Sequence, residues 1–401
     1  MAWKRPKLLF VFGTRPEAIK LCPLIRTLTQ SGRYEIRVCV TGQHRQMLDQ
    51  VLSTFDVIPG YDLDIMAPGQ TLFGSTSRMM SGLEEVFKEE EPTLTVVQGD
   101  TTSTFCGALA SLYAHVPVGH VEAGLRTGDL AQPFPEEANR ILTSRLTALH
   151  FAPTGSAAEI LRRELVAPER IFVTGNTGID AVLYVSDALR HGQLRVPGRV
   201  SVPQNRKLIL VTAHRRENFG APFSCICRAI AQIANRPDVH VVFPAHLNPN
   251  VRRPIAEHLA GHPQITILPP LDYVPFVDLL SRAFLVITDS GGIQEECPSL
   301  GKPVVVLREK TERFEAVDVG TVRLAGTNAE RIVAEVFRLL DSAEEHQCAS
   351  TVHNPYGDGK ACQRIQAALD SYFGHSTAED LNQPFGYFPP LKKAVAAAAS
   401  C

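Results

Sequence analysis

Short apolar runs recur along this chain, each closed by a polar turn that opens a helix, and that alternation restricts it to a doubly wound α/β fold. Lys7–Phe12 is apolar after its first residue, the pattern of a strand buried on both faces. Gly13-Thr14-Arg15-Pro16-Glu17 follows, with Pro16 suited to a first helical turn and Glu17 complementing the positive end of the helix dipole. Residues 35–41, 93–97, 117–121 and 149–152 repeat the strand pattern in the first half, and residues 207–211, 239–243, 265–268, 284–287, 303–307 and 322–324 repeat it in the second. Residues 171–178 read as the close of a first domain, and the Pro-, Gly- and Arg-rich stretch 191–206 reads as a surface linker. Helices are expected over 328–340 and 361–372. The architecture implied is two Rossmann-like domains, 1–178 and 179–360, facing each other across a cleft. Beyond Gly374 the composition turns to Pro, Gly, Lys and Ala, and 375–401 is expected to be a disordered tail.

Composition excludes several function classes. Forty basic residues against forty-two acidic ones leave a net charge of −2, without the basic footprint of a nucleic-acid or membrane-surface protein. No apolar stretch approaches a membrane span, and the run after Lys7 is too short for a secretory signal. The nine cysteines are odd in number and scattered without metal-ligand spacing, which suits free thiols of a reducing cytoplasm. No Gly-x-Gly-x-x-Gly fingerprint follows the first strand and a Lys-bearing P-loop is also missing, so neither an NAD nor an ATP-hydrolysing site is indicated.

The candidate chemistry lies at strand ends. The segment 285–297 reads as a strand, a turn over 288–292 and a helix from Ile293. Such a turn aims backbone amides at one spot beside a helix N-terminus, which suits a diphosphate, with the Ser290 hydroxyl as a further donor. Glu295 and Glu296 are either helix-capping charges or, for Glu296, a partner for the vicinal hydroxyls of a ribose. His214, Arg215 and Arg216 stand at the end of another strand, where an imidazole beside two guanidinium groups suits a diphosphate or proton transfer. In the first half Arg15 stands at a helix start, and Asp100 and Glu122 end two consecutive strands. Glu136 opens a helix behind Pro133 and Pro135. Three separate helix caps is one reading of these acids. Three carboxylates converging on one crevice, with at least one pKa raised for acid/base work, is the other.

Taken together, the motifs 13–20 (Gly-Thr-Arg-Pro-Glu-Ala-Ile-Lys), 98–101 (Gln-Gly-Asp-Thr), 121–127 (Val-Glu-Ala-Gly-Leu-Arg-Thr), 135–140 (Pro-Glu-Glu-Ala-Asn-Arg), 214–217 (His-Arg-Arg-Glu), 288–296 (Thr-Asp-Ser-Gly-Gly-Ile-Gln-Glu-Glu) and 354–360 (Asn-Pro-Tyr-Gly-Asp-Gly-Lys) resemble the bacterial non-hydrolysing UDP-N-acetylglucosamine 2-epimerases. The resemblance runs from about Lys7 to Tyr372. It implies a type-B glycosyltransferase-like fold whose last helix, 361–374, returns to the first domain, and a homodimer. It also implies UDP-N-acetylglucosamine and UDP as ligands. The uracil would sit near Phe276, the ribose at Glu296, and the phosphates at Ser290, Gly291, Gly292, Arg15 and His246. Lys20 and Arg215 join the substrate-binding set, and Asp100, Glu122, Glu136 and His214 match the catalytic positions. A neighbouring activating site is matched by Gln43, His44 and Gln46, but Gly69 stands where such members carry an arginine, and Phe314 replaces a usual proline.

The resemblance also explains why carboxylates are needed. The C2 hydrogen of such a sugar has no adjacent carbonyl, so direct deprotonation faces a high barrier. Elimination of UDP from C1 with loss of the C2 proton gives a 2-acetamidoglucal, and UDP then adds back after a proton returns to the other face. The leaving diphosphate calls for cations, here Arg15, His214 and Arg215. Two alternatives keep the same residues in view: a hydrolysing relative in which water adds to the glucal, and a two-domain glycosyltransferase that needs an acceptor.

Overall fold

The computed structural model describes residues 5–42, 45–67, 69–309, 317, 320–351 and 354–375. They form two compact units: one runs from the N-terminus to Ala181 and resumes at Tyr356, and the other spans Val182–Pro355. The expected tail from Ser376 onward, Gln43, His44 and the Phe314 position lie outside the described residues. Among the described residues no helix is long and apolar enough to cross a membrane.

The first unit holds a seven-stranded sheet built from β1 (Lys7–Phe12), β2 (Glu35–Val40), β3 (Tyr61–Asp62), β4 (Leu94–Gln98), β5 (Val118–Val121), β6 (Leu149–Ala152) and β7 (Ile171–Val173). Its order is β3-β2-β1-β4-β5-β6-β7, and every pair is parallel. The second unit repeats the arrangement with β8 (Lys207–Thr212), β9 (Val239–Pro244), β10 (Ile265–Leu268), β11 (Leu285–Thr288), β12 (Val304–Val306) and β13 (Val322–Leu324). That sheet runs β10-β9-β8-β11-β12-β13, again parallel throughout. The winding direction therefore reverses between β1 and β4 in one unit and between β8 and β11 in the other, the places where ligands of such sheets bind at the strands' carboxyl ends.

The central strands are buried on both faces, which is why they read as unbroken apolar runs. In the first unit Leu9, Val11 and Val97 pack against Met79, Leu83 and Cys106. Gly107, in the helix Thr102–Tyr113, lets that helix lie hard on the sheet, since a Cβ there would come within 3.0 Å of Val97 and 3.2 Å of Val11. In the second unit Ile209, Val241, Phe243 and Ile287 pack against Phe223, Ile226 and Val336. The eight described cysteines are all free thiols, most of them buried in these cores.

The final helix, Ala361–Tyr372, joins the first unit through buried polar contacts. Asp180 accepts from the Ala361 and Cys362 amides at 3.2 and 2.9 Å, and Asp370 accepts from the Tyr34 hydroxyl at 2.6 Å and from Arg33 at 2.5 Å. Asp370 is also one of the few buried carboxylates of the unit, and of its two donors Tyr34 is buried with it while Arg33 is half-exposed.

Some local structure departs from the sequence-based expectation. Gly291 and Gly292 are not a turn but the first residues of the helix Gly291–Glu296, which gives way after six residues to a 3-10 turn, Cys297–Leu300. The helices Leu72–Glu90, Thr177–Arg190 and Ala343–Thr351 are not foreshadowed by the strand-centred pattern, and the boundary between units falls inside the second of these. The two-residue edge strand β3 is too short to carry a period. Replacing Tyr34 by Phe, which strips one hydrogen bond from a buried carboxylate, is expected to lower the unfolding free energy by about 1–2 kcal/mol. Asp370→Ala is expected to lower it further. Urea unfolding checks both, and an unchanged midpoint in Asp370→Ala would remove this contact from the account of how the last helix docks.

Candidate active site

In the first unit the loops after β1, β4 and β5 meet at the reversal point. Thr14 caps the helix Arg15–Ser31, and Glu17 returns the bond: its Oε2 accepts from the Thr14 and Gly13 amides at 2.8 and 3.1 Å. The other oxygen of Glu17 accepts from Thr101 Oγ1 at 2.7 Å and Thr104 Oγ1 at 3.2 Å, both beyond β4. Glu17 is 1% exposed, so this one carboxylate fastens the loop carrying Arg15 to the loop carrying Asp100. Burial pushes its pKa up, and the four donors pull it back.

Asp100 and Glu122 lie in the turns that end β4 and β5, Asp100 after Gly99 and Glu122 directly after Val121. Glu122 has a left-handed backbone, φ 65°, which a residue with a Cβ adopts only when its surroundings hold it there. Its Oε1 pairs with Lys20 and its Oε2 accepts from Gln98 Nε2. Asp100 Oδ2 receives two guanidinium nitrogens of Arg140, Nε at 2.9 Å and Nη2 at 2.6 Å. Burial raises the Asp100 pKa, Arg140 opposes that rise, and the charge of Glu122 adds to it. The two acids therefore feel one another, yet each has a cation of its own.

Glu136 opens the helix Glu136–Leu146, whose next turn brings Asn139 and Arg140 to Asp100; Asn139 Nδ2 donates to the Asp100 carbonyl at 2.9 Å. Glu136 Oε2 is buried with no hydrogen-bond partner. Beside it, fully buried Glu137 accepts from the Thr127 and Gly128 amides at 2.9 and 3.0 Å and from Arg140 at 3.0 Å, and these donors hold its pKa down against the opposing effect of burial. His120 Nε2 meets the Gly99 carbonyl at 2.7 Å, and burial holds that imidazole neutral, down to about 4.

The second unit places its candidates at the β8/β11 reversal. Asp289, 0% exposed, accepts from the His214 amide at 2.9 Å, the Arg215 amide at 2.8 Å and Asn218 Nδ2 at 3.0 Å. It also lies 3.8 Å from His214 Nδ1. The His214 ring stacks on His246 at 5.8 Å. Burial lowers the His214 pKa, Asp289 pulls it up, and Arg215 and His246 push it down again. Thr288 Oγ1 is shared between Thr212 Oγ1 at 2.7 Å and the Ser290 amide at 3.0 Å. Ser290 is the N-cap of its helix but makes no side-chain capping bond, so its hydroxyl does not serve the helix amides. Glu296, half-buried, lies one turn beyond Gly292 on the same helix, with Oε1 3.9 Å from where a Gly292 Cβ would be, and Glu295 is buried. Phe276 is on the first turn of the helix Tyr273–Arg282, its amide already donating to the Asp272 carbonyl at 3.0 Å.

The structure thus brings Lys20, Asp100 and Glu122 together, with Arg15 and Glu136 on the helices that border them, in one unit. In the other it brings His214, Arg215 and His246 to the loop that abuts Ser290. Gln46 is in the helix Arg45–Thr54, away from both groups in the chain. Sequence reasoning passed over Glu17, Gln98, Arg140 and Asp289. Glu17 and Asp289 resemble helix-start charges in sequence, and only their burial reveals that they join two loops. Among the described residues no cluster of three or more His, Cys, Asp or Glu has the makings of a metal site.

The family model for UDP-N-acetylglucosamine 2-epimerase matches residues 26–370. The UDP-N-acetylglucosamine 2-epimerase of Salmonella typhimurium is 54% identical over 371 residues, which is 91% of this chain and 99% of the relative. The crystal structure of the UDP-GlcNAc 2-epimerase from Neisseria meningitidis bound to UDP-GlcNAc superposes with a TM-score of 0.84 at 45% identity, covering 91% of this chain and all of that one. The Methanocaldococcus jannaschii UDP-GlcNAc 2-epimerase, in complex with UDP-GlcNAc and UDP, matches with a TM-score of 0.73 at 33% identity over 91% of this chain and 99% of its own.

Asp289→Ala would remove the acceptor of the His214 and Arg215 amides and one of the two acceptors of Asn218 Nδ2, and is expected to lower stability by about 1–3 kcal/mol. Asp289→Asn keeps one acceptor oxygen and is expected to lose less. Denaturant midpoints for the two variants check this; equal midpoints at the parent value would show that Asp289 does not hold the His214 loop.

Proposed function

This chain belongs to the UDP-N-acetylglucosamine 2-epimerase family, and from that premise we propose that it interconverts UDP-N-acetylglucosamine and UDP-N-acetylmannosamine without releasing free sugar. The observation that carries this reading is the pair of carboxylates at neighbouring strand ends, Asp100 and Glu122, each held by a separate cation. Inverting C2 through a glucal requires one group to take a proton and another to return it. Asp100, held by Arg140 with its pKa raised by burial, and Glu122, held by Lys20 and Gln98, supply two such groups in different surroundings. Glu136, at the head of the helix that supplies Arg140, is the third candidate.

The cations suit the other half of the chemistry. UDP leaving C1 carries charge into the bond being broken, and fixed positive groups stabilise that charge without reorganising. Arg15, at a helix N-terminus beside the β1 end, and His214 with Arg215 at the β8 end are assigned that role. Ser290, Gly291, Gly292 and His246 are assigned to the diphosphate, Glu296 to the ribose, and the segment around Phe276 to the uracil. Lys20 serves Glu122 as well as the substrate. The Neisseria meningitidis relative, seen with UDP-GlcNAc, supports the choice of ligand. A homodimer in the cytoplasm, supplying precursors for surface polysaccharide without a metal or redox cofactor, completes the proposal on family resemblance alone.

Turnover in deuterated water is expected to place deuterium at C2 of both substrate and product, read by NMR; retention of the original hydrogen would exclude the elimination route. Chromatography is expected to find UDP-N-acetylmannosamine, and accumulation of free N-acetylmannosamine with UDP would identify a hydrolysing enzyme instead. Asp100→Asn and Glu122→Gln are each expected to lower kcat by about 10²–10⁴-fold while the circular dichroism spectrum stays the same.

A further inference from the structure

The residue that ties the acid cluster together is not an acid. Arg140 Nη1 donates to Glu137 Oε2 at 3.0 Å, and its Nε and Nη2 both meet Asp100 Oδ2. Glu137 in turn accepts from the Thr127 and Gly128 amides, in the loop that follows Glu122. A continuous polar chain therefore runs from the β5 loop through Glu137 and Arg140 to the β4 loop, and it passes along the helix that begins with Glu136. Both guanidinium contacts fall on the same oxygen of Asp100, and Oδ1 has no hydrogen-bond partner among the described residues. Two guanidinium N–H groups on one oxygen anchor that oxygen with charge-assisted bonds while leaving the second oxygen open.

We propose that Arg140 is a positioning residue of this site: it pins Asp100 through Oδ2, presents Oδ1 for proton transfer, and sets that oxygen's distance from Glu136 by acting from the same helix. The inference rests on the reading that Asp100 exchanges the C2 proton. Arg140 itself reaches no substrate in this scheme. The charged groups that act most on Asp100 are Arg140 from its helix, Glu122 from the β5 loop and Lys20 from the helix Arg15–Ser31, with Glu136 at the head of Arg140's helix. His120, whose Nε2 meets the Gly99 carbonyl, stays neutral. Of the cations, Lys20 is bound to Glu122, so Arg140 is the one that contacts Asp100 directly. A plain structural ion pair would predict lost stability and nothing else; a positioning role predicts altered proton transfer in a folded enzyme.

The test is the pH dependence of turnover with UDP-N-acetylglucosamine for the full chain and for Arg140→Gln and Arg140→Lys. Without the guanidinium, the Asp100 carboxyl loses the charge that favours its ionised form, so whichever limb of the profile Asp100 governs is expected to move to higher pH, by about one to three units. kcat is expected to fall about 100-fold with KM little changed, because a misaimed group affects the transition state more than binding. Arg140→Lys, which keeps the charge without the fork, is expected to recover most of the pH shift and only part of kcat. An unmoved profile in a folded Arg140→Gln protein, or a rate that falls only in step with the folded fraction seen by thermal unfolding, would overturn the assignment. Asp100→Asn run in parallel separates the two ideas. Normal turnover there overturns the reading of Asp100 and this inference with it, whereas an inert Asp100→Asn beside an unaltered Arg140→Gln overturns the inference alone.

Discussion

In each unit a single buried carboxylate holds together the two loops between which the sheet reverses, and the candidate chemistry is mounted on those loops. Glu17 does this at the β1/β4 reversal, accepting from two backbone amides on one side and two hydroxyls on the other. Asp289 does it at β8/β11, accepting from two amides and an asparagine across the gap. The regular ladder of a parallel sheet stops at the ends of its strands, and these carboxylates add the bonds that hold the loops together beyond them. A carboxylate removed from water is stable only with its acceptor capacity filled, and that requirement makes the fastening stringent. The same device, from opposite sides of the reversal, appears on two sheets with the same strand order.

Charge is distributed on these mounts with little left unpaired. Three carboxylates close together would suppress one another's ionisation, and burial would suppress it further. In the first unit the difficulty is met by giving Asp100 a guanidinium and Glu122 an ammonium and an amide, while Glu137 draws on backbone amides. The Asp100 pKa still lies above its ordinary value, since burial outweighs its cation. In the second unit the polarity is inverted: His214, Arg215 and His246 gather positive or potentially positive groups, and buried Asp289 is what lets them sit so close.

Much of this was legible in the residues, and the parts that were not share a cause. β6 falls where an apolar run between polar turns places it, because double burial leaves a strand no polar face to blur its limits; β10 and β13, partly exposed at the two edges of their sheet, also fall on the short apolar runs. The Ser290-Gly-Gly segment misled: two glycines suggest a turn, but at the head of a short helix they need no positive φ, and the backbone there is helical. The helix Leu72–Glu90 is amphipathic and long, yet it carries no chemistry, and a reading centred on strand ends passes over it. Gln98 read as the start of the loop after its strand, and it proved to be the strand's last residue and a donor to Glu122.

The sequence by itself determined the alternation of strands and helices, the placement of acids and cations at strand ends, and the family, because each of these is a matter of local period or of residues close together in the chain. Only the tertiary structure decided which charges are partners. Lys20 meets Glu122 across 102 residues, Arg140 meets Asp100 across 40, and Asp289 meets His214 across 75. Pairing of that kind depends on the order in which parallel strands lie side by side, which is set by burial of the whole sheet and leaves no mark on the residues that end up in contact.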